Sequence, residues 1–218
     1  MGEKVVRKSL VDQVYDLILK RIQNRELVPG DRLNIEELAR DFGVSRTPVR
    51  ETINRMIQEG FVEQKHNVGP RIIQLDEEQE QDLIDANTNL FSLVIESYHR
   101  LDSLEPLVSA LEEMVKKQKE ALECGEEQKG HEASVGFHKL MIESCCNPII
   151  RDYTMKTQNQ INMCTFSYLT NRHHQALSID EHEHILEALK LGDIEQAKSL
   201  MELHNRLAKR IYFGEKPM

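Results

Sequence analysis

The sequence contains no tryptophan and few aromatic residues, with five tyrosines and six phenylalanines among 218 residues. Any core must therefore be built mainly from aliphatic side chains. Cysteine is equally scarce. Cys124, Cys145, Cys146 and Cys164 form no CxxC pair and no dense framework, which excludes a disulfide-stapled scaffold. Six prolines and ten glycines exclude a collagen-like or low-complexity chain. Apolar runs are only a few residues long, so none reaches the length that crosses a bilayer. The stretch from Met1 to Leu10 is charged and lacks an apolar signal core. These absences lead us to expect a cytoplasmic protein with reduced thiols and no membrane partner.

Positive charge is also in deficit, with a formal net charge of -9. The deficit is uneven. Residues 1–75 hold 13 Lys and Arg against 11 Asp and Glu, and the remainder holds 15 against 26. A weakly basic head on an acidic body predicts two domains, 1–75 and 76–218, with different partners. The acidic body repels phosphates, so any nucleic-acid contact must be local.

Helical periodicity runs through residues 9–25, where Leu10, Val14, Leu17, Ile18 and Ile22 recur. Pro29-Gly30 breaks it. A short helix is predicted in "NIEELARDF" with Asn34 as N-cap, and Gly43 ends it. Ser45 is placed as N-cap of a third helix that stops at Gly60. Two short apolar pieces, "FVEQ" and "RIIQL", flank the tip "KHNVGP" as a hairpin. Helix, helix, tight turn, helix, hairpin is the order of a winged helix-turn-helix. From Leu75 to Tyr212 only helical periodicity appears. The predicted segments are 77–101, 104–124, 129–145, 148–170, 178–191 and 193–212. The fold class read from this pattern is mainly α: a winged helix-turn-helix followed by an all-α antiparallel bundle.

In the third predicted helix Arg46, Thr47 and Arg50 lie on the first turns, and Arg46 and Arg50, four apart, share a face opposite Val49, Ile53, Met56 and Ile57. Recognition helices enter the major groove by their N-terminal residues. Arginine there reads guanine O6 and N7 or clamps a phosphate. Ser45 and Thr47 can hold a phosphate with the free N–H groups of the first turn. Lys65, His66 and Gly69 at the wing tip are placed to reach the DNA backbone or minor groove. The competing reading is a solvated helix whose arginines pair with Glu51 or Asp41.

The run "GVSRTPVRE" at 43–51, with Pro29-Gly30, Leu33, Leu38-Ala39 and Gly60, resembles the DNA-binding head of the GntR family of bacterial transcription regulators. The resemblance implies DNA contacts by Arg46, Thr47, Arg50 and the wing. Some relatives carry an arginine on the second helix near the position that Glu36 holds here, and the wing "HNVGPRII" differs from the family habit.

Three histidines stand out in the second half. His182 and His204 fall on consecutive helices whose midpoint is residue 193, at the Gly192-Asp193 turn. Each is 11 residues from it, roughly 16 Å, so the two rings reach the same height in a helical hairpin. With His138 they form a candidate site for Zn, Ni, Fe or Mn. The bland reading is that of satisfied core histidines. His99, His131, His173 and His174 are read as solvated or loop residues. "FHKLMIESCCNPII" and "EHEHILEALKLGDIEQAKSLMELH" resemble the FCD domain of the FadR-like GntR branch. The resemblance implies a divalent metal on His138, His182 and His204, completed by an aspartate and helping to hold a carboxylate effector. Here Ser134 stands at the aspartate position, and Asn87 near the position of a family arginine. Two readings stand. In one, three histidines hold the metal and an organic-acid effector completes it. In the other, the pocket is metal-free and Ser134, Asn87, Asn159 and the histidines supply hydrogen bonds.

The expected whole is a non-enzymatic, ligand-responsive repressor, acting as a homodimer on a pseudo-palindromic double-stranded operator. The rival is a metal-dependent hydrolase. No HExxH and no Ser/His/Asp arrangement supports it.

Overall fold

Ser9 opens the first helix, α1 (Leu10–Gln23), with a capping box: its hydroxyl accepts from the Asp12 N–H while the Asp12 carboxylate accepts from the Ser9 N–H. The computed structural model describes residues 8–65, 68–169 and 171–214, without the side chains of 164–169 and 211. The chain divides into two units, 1–74 and 75–218.

In the first unit α1 buries Val14 and Ile18 and leaves Leu10 and Leu17 exposed. Asn34 caps α2 (Ile35–Asp41), its side chain accepting from the N–H groups of Glu36 and Glu37. Gly43, at φ 66°, turns the chain into α3 (Arg46–Gln58). That helix buries Val49, Thr52, Ile53 and Met56. Ile57 is only half-buried, so the apolar face is narrower than expected. Ser45 occupies the N-cap position of α3, but its side chain makes no capping hydrogen bond. β1 (Val62–Lys65) and β2 (Gly69–Ile72) pair antiparallel from Val62↔Ile72 to Lys65↔Gly69. This is the winged helix-turn-helix.

The second unit is the helical bundle. It comprises α4 (Glu77–Glu96), a 3₁₀ turn (Ser97–Arg100), α5 (Glu105–Cys124), α6 (Glu127–Glu143), α7 (Pro148–Leu169), α8 (Arg172–Lys190) and α9 (Ile194–Tyr212). Phe91, Leu111, Phe137, Met141, Ile185 and Met201 form its apolar centre. Each such side chain removed from water contributes about 1.5–3 kcal/mol. The helix α8 begins at Arg172, six residues before the expected 178. The physical reason is Asn171, whose side-chain oxygen accepts from the N–H groups of His173 and His174. A residue that reads as loop composition is acting as a cap. The longer helix carries His174 and Ser178 onto the face that the site uses. No helix among the described residues is long and apolar enough to cross a membrane.

Candidate nucleic-acid interface and metal-effector pocket

The start of α3 carries Ser45, Arg46, Thr47 and Arg50, all exposed. The first-turn N–H groups of this helix make a ready anion site. Arg46 donates to the Glu36 carboxylate at 2.8 Å. Both side chains are exposed, so such a pair contributes at most about 1 kcal/mol and yields readily to a phosphate. Arg50 has no ion pair or hydrogen bond among the described residues. Neither arginine is tied up by Glu51 or Asp41; Asp41 pairs with Arg21 at 3.1 Å. Lys65 ends β1 and pairs with Glu63 at 2.9 Å. Gly69 opens β2 at φ 93°, a conformation that favours glycine. His66 lies outside the described residues.

In the helical unit, His138 from α6, His182 from α8 and His204 from α9 converge. Their ring centroids lie 5.0, 5.1 and 4.9 Å apart, close to an equilateral triangle. One nitrogen from each falls within 4.8 Å of the others, and all three residues are buried. The turn at Leu191 to Asp193 sets the register of α8 against α9. Gly192 takes φ 69°, and the Asp193 carboxylate accepts from the Gln196 N–H.

The outer nitrogens of His182 and His204 are held as ligand imidazoles usually are, whereas His138 Nδ1 is buried without a hydrogen-bond partner among the described residues. His182 Nδ1–H donates to Gln118 Oε1 at 3.0 Å. The Gln118 amide is oriented by its own N–H donating to the Met114 carbonyl. His204 Nδ1–H donates to the Glu181 carboxylate at 2.6 Å. Both bonds fix the tautomer with the Nε2 lone pair facing inward. Phe137 stacks on the His182 ring at 4.1 Å, and Phe91 stands edge-on to His138 at 5.7 Å. Burial holds His138 and His182 well below the ordinary imidazole pKa, and neighbouring imidazoles push the same way. Both are neutral at pH 7, the form that binds a metal.

One pair of the three donors matches the spacing that a tetrahedral zinc requires, and all three ligand nitrogens lie within 4.8 Å of one another. Zinc–nitrogen bonds of 2.0–2.1 Å in tetrahedral geometry put ligand nitrogens about 3.3 Å apart. His138 Nε2 and His182 Nε2 lie 3.2 Å apart. Ser134, one turn before His138, lines the adjoining cavity at the place where the family aspartate is expected.

That cavity measures about 80 Å³. One wall is apolar, with Ile84, Val135, Ile161 and Leu177. The other is polar and includes Asn87, which is buried at 2% exposure. The Asn87 amide is already committed: its oxygen accepts from Thr157 and its nitrogen donates to Gln158. Asn159 is not among the lining residues. Gln158 and Asn162, four apart on α7, take that face instead. Two histidines expected to be solvated or in loops lie on helices, one buried and one half-buried. His131 is buried on α6 at 6% exposure, and His174 lines the cavity.

Sequence reasoning missed Gln118, Gln158, Asn162 and Asn205 as site residues, and gave Glu181 no role beside His204. One signal was available for Gln118. It occupies the buried stripe of α5 with Leu111, Val115 and Ala121, where an unpaired amide is costly.

A winged helix-turn-helix joined to a helical unit with a histidine-lined pocket defines a ligand-responsive DNA-binding regulator. The profile of the bacterial regulatory proteins of the gntR family matches residues 10–72, and that of the FCD domain matches residues 99–207. The chain belongs to the GntR family of transcriptional regulators, in the branch with an FCD domain. It is 26% identical over 194 residues to the HTH-type transcriptional regulator YdhC of Bacillus subtilis (strain 168), covering 88% of this chain and 86% of that protein. It is 25% identical over 199 residues to the gluconate operon transcriptional repressor of the same organism, covering 87% and 78%. The fold superposes on a GntR transcriptional regulator from Rhodococcus sp. RHA1 with a TM-score of 0.76 at 18% identity, covering 96% of this chain and 100% of that one.

Proposed function

We propose that this regulator is a cytoplasmic, homodimeric repressor whose residues 76–218 bind a small organic acid through a divalent metal on His138, His182 and His204. The observation that carries this reading is the histidine triangle, with Gln118 and Glu181 aiming two of its lone pairs inward. When bound, zinc or nickel supplies a Lewis-acidic centre that accepts a carboxylate oxygen. The chain's own residues hold and orient that centre. Glu181 and Gln118 fix the imidazoles, Phe137 and Phe91 exclude water from them, and Ser134 leaves room where a fourth protein ligand is otherwise expected. In residues 1–75, Ser45, Arg46, Thr47, Arg50, Lys65, His66 and Gly69 form the DNA contact, and a homodimer presents two such heads to a pseudo-palindrome. Effector binding biases the heads through linkage between the two sites.

A second reading is favoured by one observation. The 3.2 Å contact between His138 and His182 is also a satisfied hydrogen bond without a metal. Elemental mass spectrometry on tag-free protein, beside His182→Ala, separates the two. The metal reading expects close to one ion per chain in the wild type and a loss of at least tenfold in the variant. No metal in either protein, even after incubation with zinc or nickel, establishes the metal-free pocket instead.

A further inference from the structure

The start of α3 draws its carboxylate from another helix. α3 has no acidic residue in its first turn, and Ser45 makes no capping bond there. Glu36, in the first turn of α2, accepts from Arg46 Nη1 at 2.8 Å across ten positions of sequence. The two side chains are 74% and 67% exposed, so the pair stands out from both helices into solvent. Arginine has five N–H donors and Glu36 takes one of them. Among the described residues the other Arg46 donors and Glu36 Oε2 have no partner. Glu37, the next residue, is also exposed but pairs with no cation among the described residues.

A carboxylate in a DNA interface is repelled by every phosphate. It is favourable only where the DNA offers a donor. On the base edges of the major groove those donors are cytosine N4–H and adenine N6–H. Arg46 decides between them. A guanidinium binds the acceptors N7 and O6 of guanine, and the partner of guanine is cytosine. The groove edge of a G·C pair therefore runs acceptor, acceptor, donor. Arg46 with Glu36 beside it runs donor, donor, acceptor. The spacing agrees too. Guanine O6 and cytosine N4 are hydrogen-bonded to each other, so they lie as far apart as Arg46 Nη1 and Glu36 Oε1 do. An exposed ion pair is weak, but on this edge it need not break, because each partner finds a second bond. An A·T pair runs acceptor, donor, acceptor. It sets adenine N6–H against the guanidinium and thymine O4 against the carboxylate, and both mismatches reject it.

We propose that Glu36 is a base-reading residue that accepts from cytosine N4–H in the G·C pair whose guanine Arg46 binds. This rests on the reading of α3 as the DNA contact.

The full-length wild type, Arg46→Ala, Glu36→Ala and Glu37→Ala each select duplexes from one randomised pool. The wild type should demand a G·C pair at one position of each half-site. Arg46→Ala and Glu36→Ala should relax that same position, and Glu37→Ala should leave it unchanged. Fluorescence anisotropy on the wild-type duplex then compares cytosine with N4-methylcytosine at that position. The methyl group replaces the groove-facing hydrogen of N4 and leaves the pairing with guanine in place. The wild type and Glu37→Ala should each lose about three- to tenfold in affinity, and Glu36→Ala about twofold or less. The comparison is made within each protein, so a change in stability cancels. A Glu36 that served only as counter-ion to the start of α3 would not make binding depend on that one hydrogen. The inference is overturned by a wild-type selection without such a G·C position, by different positions relaxed in the two variants, or by equal methyl penalties in the wild type and Glu36→Ala. If Arg50→Ala still weakens binding in those cases, the interface reading stands and only the role of Glu36 falls. If neither Arg46→Ala nor Arg50→Ala alters binding, α3 is not the interface and both readings fall.

Discussion

Among single residues, His131 has the most direct thermodynamic consequence. Burial pushes its pKa down to about 4 from the usual 6.5. The unfolded chain therefore binds a proton between pH 6.5 and pH 4 that the folded chain refuses. Stability is full above pH 6.5 and falls as the pH drops through that window. His138 and His182 act in the same direction. For His131 the total is on the order of 3 kcal/mol, of which roughly 2 kcal/mol falls between pH 6.5 and pH 5. His131→Gln removes this titration. Urea midpoints at pH 7 and pH 5 should lie closer together in the variant than in the wild type. An identical gap in both proteins would show that His131 does not contribute to the acid sensitivity.

Caps decide where elements begin. The Asn171 side chain starts α8 a turn and a half before the periodicity does, by accepting from His173 and His174. Asn171→Ala should cost about 1 kcal/mol and lower the melting temperature by roughly 2–4 °C. Scanning calorimetry at fixed pH checks this, and Asn171→Ser should restore most of the loss. Because α8 carries His182 eleven residues further on, metal or ligand affinity should change little. A large loss of affinity would mean that the first turn of α8 positions the site directly. The head shows the opposite case. Ser45 sits at the N-cap of α3 without using its hydroxyl for the cap, which leaves that oxygen for a partner outside the chain.

For the whole molecule, the constraint is a net charge of -9 on a protein that binds DNA. Attraction must be local, because the acidic body repels phosphate, and the proposed place for it is the start of α3 and the wing. Arg46→Ala with Arg50→Ala should weaken operator binding at least a hundredfold. It should also reduce the slope of log affinity against log salt by close to two contacts. Fluorescence anisotropy on a duplex selected by the wild-type protein measures both quantities. Unchanged affinity would remove α3 from the interface.

How much of this was legible in the sequence depends on the range of the interaction. The head was almost fully readable, because its signals are local. Asn34 and Gly43 punctuate α2, and the Val49, Ile53, Met56 spacing defines the inner face of α3. The histidine pair 182 and 204 was readable for a related reason. A helical hairpin with a short turn converts sequence distance into height, so equal separations from residue 193 place both rings at one level. The start of α8 was misplaced because Asn171 looks the same in a loop and at a cap until its partners are seen. The burial of His131, the orientation of His182 by Gln118 across 64 positions, and the contacts of Asn87 with Thr157 and Gln158 across 70 and 71 positions were decided only by tertiary structure. Periodicity tells which side of a helix is buried. It does not tell which polar residue on one buried stripe meets which on another, because that depends on the packing of helices far apart in the chain. The sequence by itself determined the two kinds of unit and the residue types available for chemistry; packing decided which of them face one another and what the pocket can hold.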